Sequence, residues 1–173
     1  GKSTESIIVL GGTGALGGVV VPVLADAGYH VVVYTRHPVA GERYEHPNVS
    51  VLEGNLENSG CNRALLSLAT TEGRSLRGAV FINGAFQWDE GIGSPNFTQH
   101  LDELLEANVL PITRTLEELG PYWEKHGGGR VIMTSATAAQ KPFDPGSGAP
   151  ASSTGTGGCR RPDRHGRRPG DGD

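Results

Sequence analysis

Ile7-Ile8-Val9-Leu10-Gly11-Gly12-Thr13-Gly14-Ala15-Leu16-Gly17-Gly18 is the stretch on which the reading of this chain turns. Four apolar residues run straight into a glycine cluster, and Leu16, Val19, Val20, Val23, Leu24 and Ala27 then recur at helical spacing. The pattern predicts a buried strand, a tight turn and a helix packed back on the strand. Gly12, Gly14 and Gly17 have the G-x-G-x-x-G spacing of dinucleotide-binding turns. Glycines there permit the turn, let backbone approach a pyrophosphate closely, and bring helix against strand. The helix N-terminus adds N–H groups without intrahelical partners and a partial positive charge suited to phosphate. Gly11, Gly12, Thr13, Gly14, Ala15, Leu16 and Gly17 are therefore the first candidate nucleotide-binding residues.

Outward from that turn, Pro22 falls inside the predicted helix, where it removes a hydrogen bond to Gly18 and should kink the helix. A second strand is expected at His30-Val31-Val32-Val33-Tyr34, followed by Thr35-Arg36. In a dinucleotide fold the residue just past this strand faces the adenosine ribose. An acid there would bond the ribose hydroxyls of NAD, whereas the guanidinium of Arg36 suits a 2′-phosphate. NADP(H) is thus expected in preference to NAD(H). Val49-Ser50-Val51-Leu52 reads as a third strand leading to Asn55 and Leu56. Asn58 or Ser59 could cap a helix carrying Ala64, Leu65, Leu68 and Ala69. Ala79-Val80-Phe81-Ile82 reads as a fourth strand ending in Asn83-Gly84-Ala85.

Strands alternating with helices point to an α/β fold with a doubly wound parallel sheet, which binds ligands at the carboxyl ends of its strands. The glycine turn, Arg36, Asn55 and Asn83 should all lie on that rim. Beyond Pro95, one long helix is expected from near Asn96, with an apolar face of Leu101, Leu104, Leu105, Ile112, Leu116 and Leu119. Asn108 lies on the same face, either as a satisfied core amide or as part of a site. Pro111 denies a hydrogen bond to the carbonyl of Ala107, a vacancy that a water could fill. After Gly127-Gly128-Gly129, a fifth strand over residues 130–135 should bring the Ser135 hydroxyl to the same rim.

A length of 173 residues suits one domain, and the net charge of −4 offers no reason to expect a nucleic-acid or anionic membrane partner. No apolar run approaches a membrane span, and the first residues are too polar for a secretory signal. Cys61 and Cys159 lack metal-type spacing, so neither a zinc site nor a disulfide framework is expected. These features place the protein in the cytoplasm by default. Residues 144–173 contain no Val, Ile, Leu, Met, Phe, Trp or Tyr, so they have nothing with which to offset the entropy of ordering. The expected organisation is an incomplete domain of about five strands over residues 1–145 and a disordered tail over 146–173. With no strands six and seven after it, strand five should form an unprotected edge open to self-association.

From residue 6 to about residue 149 the chain resembles the short-chain dehydrogenase/reductase family. The likeness rests on Gly-Gly-Thr-Gly-Ala-Leu-Gly at 11–17, Gly54-Asn55-Leu56, Asn83-Gly84-Ala85, Asn108-Val109 and the strand ending at Ser135. The resemblance implies a Rossmann-type sheet, NAD(P)(H), and hydride transfer between nicotinamide and a small carbonyl or alcohol. It makes Leu56, Gly84 and Ala85 cofactor contacts beside Asn55 and Asn83. The family's catalytic set is an Asn on the long helix, a Ser after strand five, and a Tyr and Lys spaced Y-x-x-x-K. That implies catalytic roles for Asn108 and Ser135.

Several positions depart from the pattern. Asn55 stands where the family usually has Asp, and Phe86 where a glycine usually ends the motif after strand four. Aligned on residues 138–143, the catalytic serine falls at Ala136 with Ser135 one residue earlier, so either position stays open. The Tyr and Lys are expected at 150 and 154, where the chain has Pro150 and Thr154. No Tyr follows Tyr122 and no Lys follows Lys141. The change to Gly/Arg/Pro-rich sequence at one point looks like a frameshift or truncation, which another reading frame restoring Tyr-x-x-x-Lys would reveal. By resemblance the chain is an NAD(P)(H)-dependent oxidoreductase with impaired or absent activity. Gly11, Gly14 and Gly17 at G-x-x-G-x-x-G spacing, with Thr35-Arg36-His37-Pro38, also resemble atypical members. Those bind NADP(H) without turnover, and a regulatory, non-catalytic domain is the alternative.

Overall fold

The computed structural model describes residues 3–36, 44–56, 59–85 and 93–135. The expected tail over residues 146–173, Phe86, Ala136, Pro150 and Thr154 lie outside them. The described chain runs β1 (Glu5–Leu10), α1 (Gly17–Asp26), β2 (His30–Thr35), β3 (Val49–Glu53), α2 (Ser59–Thr70), β4 (Ser75–Phe81), α3 (Phe97–Asn108), α4 (Leu110–Lys125) and β5 (Arg130–Met133). A single 3₁₀ turn, Thr71–Gly73, joins α2 to β4. The five strands form one sheet in the order β3-β2-β1-β4-β5, every neighbouring pair parallel. This is the doubly wound α/β architecture, with the reversal of strand order falling between β1 and β4.

The runs of branched residues in β1 and β2 are apolar on both faces because both faces are covered. Val9, Val31, Val33 and Val80 pack with Val21 and Ala25 of α1 on one side. Ile8, Leu10, Val32, Tyr34, Leu76 and Phe81 pack with Leu65 and Ala69 of α2 and Leu119 and Trp123 of α4 on the other. Helix α1 is rich in valine, a weak helix former, so its buried contacts rather than its propensity hold it helical. It continues through Pro22 to Asp26, and Gly28 closes it at φ +95°, the left-handed conformation that favours glycine after a helix. The Trp123 indole N–H donates to the Leu76 carbonyl at 2.9 Å, fastening α4 to β4.

One element departs from the sequence reading. The single long helix expected from Asn96 is two helices, α3 and α4, parted at Val109 (φ −111°, ψ −55°), which caps the end of one and the start of the other. Pro111 sits in the first turn of α4, where a missing N–H costs nothing. The carbonyl of Ala107 that it leaves open accepts a hydrogen bond from Nδ2 of Asn83 at 2.9 Å, in place of the expected water. The division also changes the apolar face. Leu119 is buried, whereas Leu101 and Leu105 of α3 are exposed by 43% and 38%. Strand β5 is the sheet's edge among the described residues, and its four residues are all exposed.

His30 opens β2, buried, with Nε2 2.9 Å from the Ser50 hydroxyl oxygen. Burial, aided by the Arg74 guanidinium and opposed by Glu72, holds its imidazole below the ordinary value of 6.5. The unfolded chain therefore takes up this proton at higher pH than the folded one. The contribution of His30 to stability is complete above about pH 6.5 and declines as pH falls below it. The melting temperature should drop between about pH 7.5 and about pH 5.5, and less so in His30→Gln. Identical slopes for the two proteins would remove His30 from the acid response.

Candidate functional site

At the switch point between β1 and β4 a cleft of about 260 Å³ opens beyond the carboxyl ends of the strands. Its floor is the β1 exit, with Leu10, Gly11, Thr13 and Gly14. One wall is the β2 and β3 exits, Tyr34, Thr35, Arg36, Asn55 and Leu56, and the other combines Ile82 to Ala85 with residues of α3 and α4. The candidate residues from β1 to β4 thus converge on one rim, although they are spread over some seventy positions of sequence.

The glycines of the turn have separable duties. Gly11 is at φ +82°, and a Cβ there would meet the Asn83 nitrogen at 2.3 Å, so β4 closes directly over it. A Cβ on Gly17 would lie 2.1 Å from the Gly12 carbonyl oxygen, because α1 rests on the backbone of the turn. Gly12 is buried against Val33, 2.7 Å from where its Cβ would be. Gly14 differs: its added Cβ would meet only the Gly11 carbonyl oxygen, at 3.4 Å, an ordinary contact. The fold requires glycine at 11 and 17, and leaves open space at 14 on the floor of the cleft. Ala15 and Leu16 are exposed at the start of α1 and do not line the cleft.

Hydrogen bonds join the β2 and β3 exits to each other, and one reaches the glycine turn. The Tyr34 hydroxyl donates to the Gly54 carbonyl at 2.9 Å, and the Gly54 N–H donates to the Thr35 carbonyl at 3.1 Å. The Tyr44 hydroxyl donates to the carbonyl of Gly12. Arg36 is exposed at the end of β2, on the cleft. Burial raises the Cys61 thiol above its ordinary value, its sulfur standing 2.7 Å from where a Cβ on Gly54 would lie.

Asn108 and Asn83 make a reciprocal clamp. Nδ2 of Asn108 donates to the carbonyls of Ala85 and Leu104, at 3.0 and 2.9 Å, and Oδ1 accepts from the Ala85 N–H at 3.0 Å. Both amide hydrogens of Asn108 are therefore spent on backbone. A side chain on Gly84 would strike Asn108 Oδ1 at 2.5 Å. In return Asn83 holds the Ala107 carbonyl, so the β4 exit and the α3–α4 joint are locked together. Oδ1 of Asn83 is buried and finds no hydrogen-bond partner among the described residues. Ser135 is exposed two residues past β5 and does not line the cleft.

Glu106 and Arg114, which sequence reasoning passed over, also line the cleft. They flank the joint at Val109 and pair across it, Nη1 of Arg114 lying 3.2 Å from Oε2 of Glu106. Eight residues apart, they read in sequence as unrelated members of a solvated helix face. They meet across the joint at Val109, two residues before Pro111.

Residues 3–82 match the model of the NmrA-like family. No curated protein sequence matches the chain. Among solved structures the chain is similar to ElxO with NADP bound, at 18% identity and a TM-score of 0.70 over 81% of this chain and 58% of that one. It is likewise similar to a short-chain dehydrogenase from Leptospira borgpetersenii serovar Hardjo-bovis (strain JB197) with bound NAD+, at 12% identity and a TM-score of 0.65 over 82% of this chain and 55% of that one. Serine dehydrogenase from Escherichia coli gives 16% identity and a TM-score of 0.68, with 80% of this chain and 65% of that one covered. The chain thus spans 55% to 65% of the length of these proteins. Among the described residues no helix is long and apolar enough to cross a membrane. The chain has the Rossmann-type fold of the short-chain dehydrogenase structures, with the NmrA-like sequence pattern over its first 80 or so residues.

Proposed function

We propose that the cleft at the β1/β4 switch point binds NADP(H), in a domain of the short-chain dehydrogenase type whose own hydride-transfer activity is impaired or absent. The observation that carries this is the glycine turn. Of Gly11, Gly12, Gly14 and Gly17, only Gly14 has room for a Cβ, on the cleft floor, while the other three are held by close packing, which is the shape a phosphate-binding turn requires. Gly11, Thr13 and Gly14 would hold the pyrophosphate, and Asn55 and Leu56 the adenine side. Asn83, Gly84 and Ala85 would line the path to the nicotinamide. When bound, NADPH would supply a hydride to a carbonyl, or NADP+ would accept one from an alcohol, the substrate class proposed from the fold.

Preference for NADP(H) rests on Arg36, a guanidinium on the cleft wall where an acid would favour NAD. Loss of a charge-assisted contact to the 2′-phosphate costs about 1.5–3 kcal/mol. Arg36→Ala should therefore weaken NADPH binding by roughly tenfold or more and leave NADH nearly unchanged. Fluorescence titration of both cofactors decides it. Equal losses would return Arg36 to the solvent.

The alternative reading, a regulatory domain that binds NADP(H) without turnover, is favoured by Asn108. Both of its amide hydrogens are committed to backbone carbonyls, which leaves neither for a water or substrate. Once NADPH binding is established, any turnover with carbonyl substrates excludes this alternative and leaves an impaired enzyme.

A further inference from the structure

The cleft carries a second arginine, on the wall opposite Arg36. Arg114 stands in the second turn of α4, lines the cleft with Glu106, Ala107 and Pro111, and is paired with the Glu106 carboxylate at 3.2 Å. Its setting is rigid. The joint between α3 and α4 is held to the β4 exit by Asn83 on the Ala107 carbonyl and by Asn108 on Ala85. The pair is partly open to solvent, its side chains 28% and 43% exposed. An exposed ion pair of this kind adds little to stability. The planar fork of arginine, by contrast, matches phosphate oxygens in two places at once.

We propose that Arg114 recognises a phosphate of the bound nucleotide, and that Glu106 holds its guanidinium in place until that phosphate displaces the carboxylate. The proposal rests on the nucleotide-binding reading of the cleft and adds a residue and a competitor to it. Glu106 is then a positioning residue that weakens binding, because the incoming anion must replace it. The recognised group is a phosphate monoester or diester of the adenosine part, either at the ribose 2′ position or at the 5′ position.

Calorimetric titration with 2′,5′-ADP and with 5′-AMP tests this on the full chain, with melting temperatures recorded for each variant. Arg114→Met should weaken 2′,5′-ADP by at least about tenfold. Loss confined to 2′,5′-ADP places the contact at the ribose phosphate, and equal loss for 5′-AMP places it at the 5′-phosphate; both support the proposal. Glu106→Gln should tighten binding severalfold. The exchanged pair, Glu106→Arg with Arg114→Glu, keeps an ion pair across the joint. It should restore any stability lost without restoring the wild-type affinity. Binding by Arg114→Met equal to that of the wild type, or full recovery of affinity in the exchanged pair, overturns the proposal alone. Failure of the unaltered protein to bind either probe overturns the nucleotide reading and this proposal with it.

Discussion

Supplied with NADPH and a panel of ketones and quinones, this chain should oxidise the cofactor no faster than its Gly14→Val variant. Hydride transfer to a carbonyl builds negative charge on oxygen, and a positioned acid must meet that charge. General acid catalysis contributes roughly 10²–10⁴-fold, and preorganised donors around the oxygen a comparable factor. At the positions where the family resemblance expects Tyr and Lys, the chain has Pro150 and Thr154, one without a proton to give and the other without a charge. Asn108 spends both amide hydrogens on the carbonyls of Ala85 and Leu104. Ser135 stands exposed beyond β5, away from the cleft lining. Restoring only Pro150→Tyr and Thr154→Lys should not recover a family-like rate. Residues 144–173 have no large apolar side chain with which to dock a helix carrying both. Cofactor oxidation that Gly14→Val abolishes would show that the chain carries a proton donor of its own.

The second large effect divides two glycines three residues apart. Gly17→Ala should destabilise the fold by at least about 3 kcal/mol. Its methyl would fall within 2.5 Å of the carbonyl oxygen, carbonyl carbon and Cα of Gly12, all backbone, and α1 would have to lift off the turn to admit it. Gly14→Ala should change stability by no more than about 0.5 kcal/mol, because its nearest neighbour is the Gly11 oxygen at 3.4 Å. The same methyl nevertheless occupies the cleft floor where a pyrophosphate must approach, so NADPH affinity should fall at least about tenfold. Urea unfolding and NADPH titration, run on both variants, make the comparison. A Gly14→Ala protein that binds like the wild type would take the phosphate away from this turn. A Gly17→Ala protein of normal stability would mean that α1 is less closely seated than its backbone contacts indicate.

The fold was legible because its signals are local. Ile7 to Leu10 and His30 to Tyr34 are nearly continuous apolar runs, as strands covered on both faces must be, and their spacing from the apolar helix stripes fixes the parallel, doubly wound order. The glycine turn, Arg36, Asn55 and Asn83 were placed on one rim by topology alone, since strand exits of such a sheet share an edge. What the cleft does with them was decided by contacts between residues distant in sequence. The periodicity of residues 96–119 suggested one helix, and a single proline could mean a kink or a break. Beside the joint at Val109, Asn83 takes the carbonyl of Ala107, 24 residues away from it, that Pro111 releases. Whether Asn108 served core or site stayed even in the sequence, and its three hydrogen bonds to Leu104 and Ala85 settle where its amide is spent. The sequence alone determined the sheet, the turn and the rim, because hydrophobic period and glycine spacing encode backbone course. The tertiary structure decided that the joint is locked and that Glu106 meets Arg114 across it, because side-chain pairing across a helix joint leaves no periodic trace.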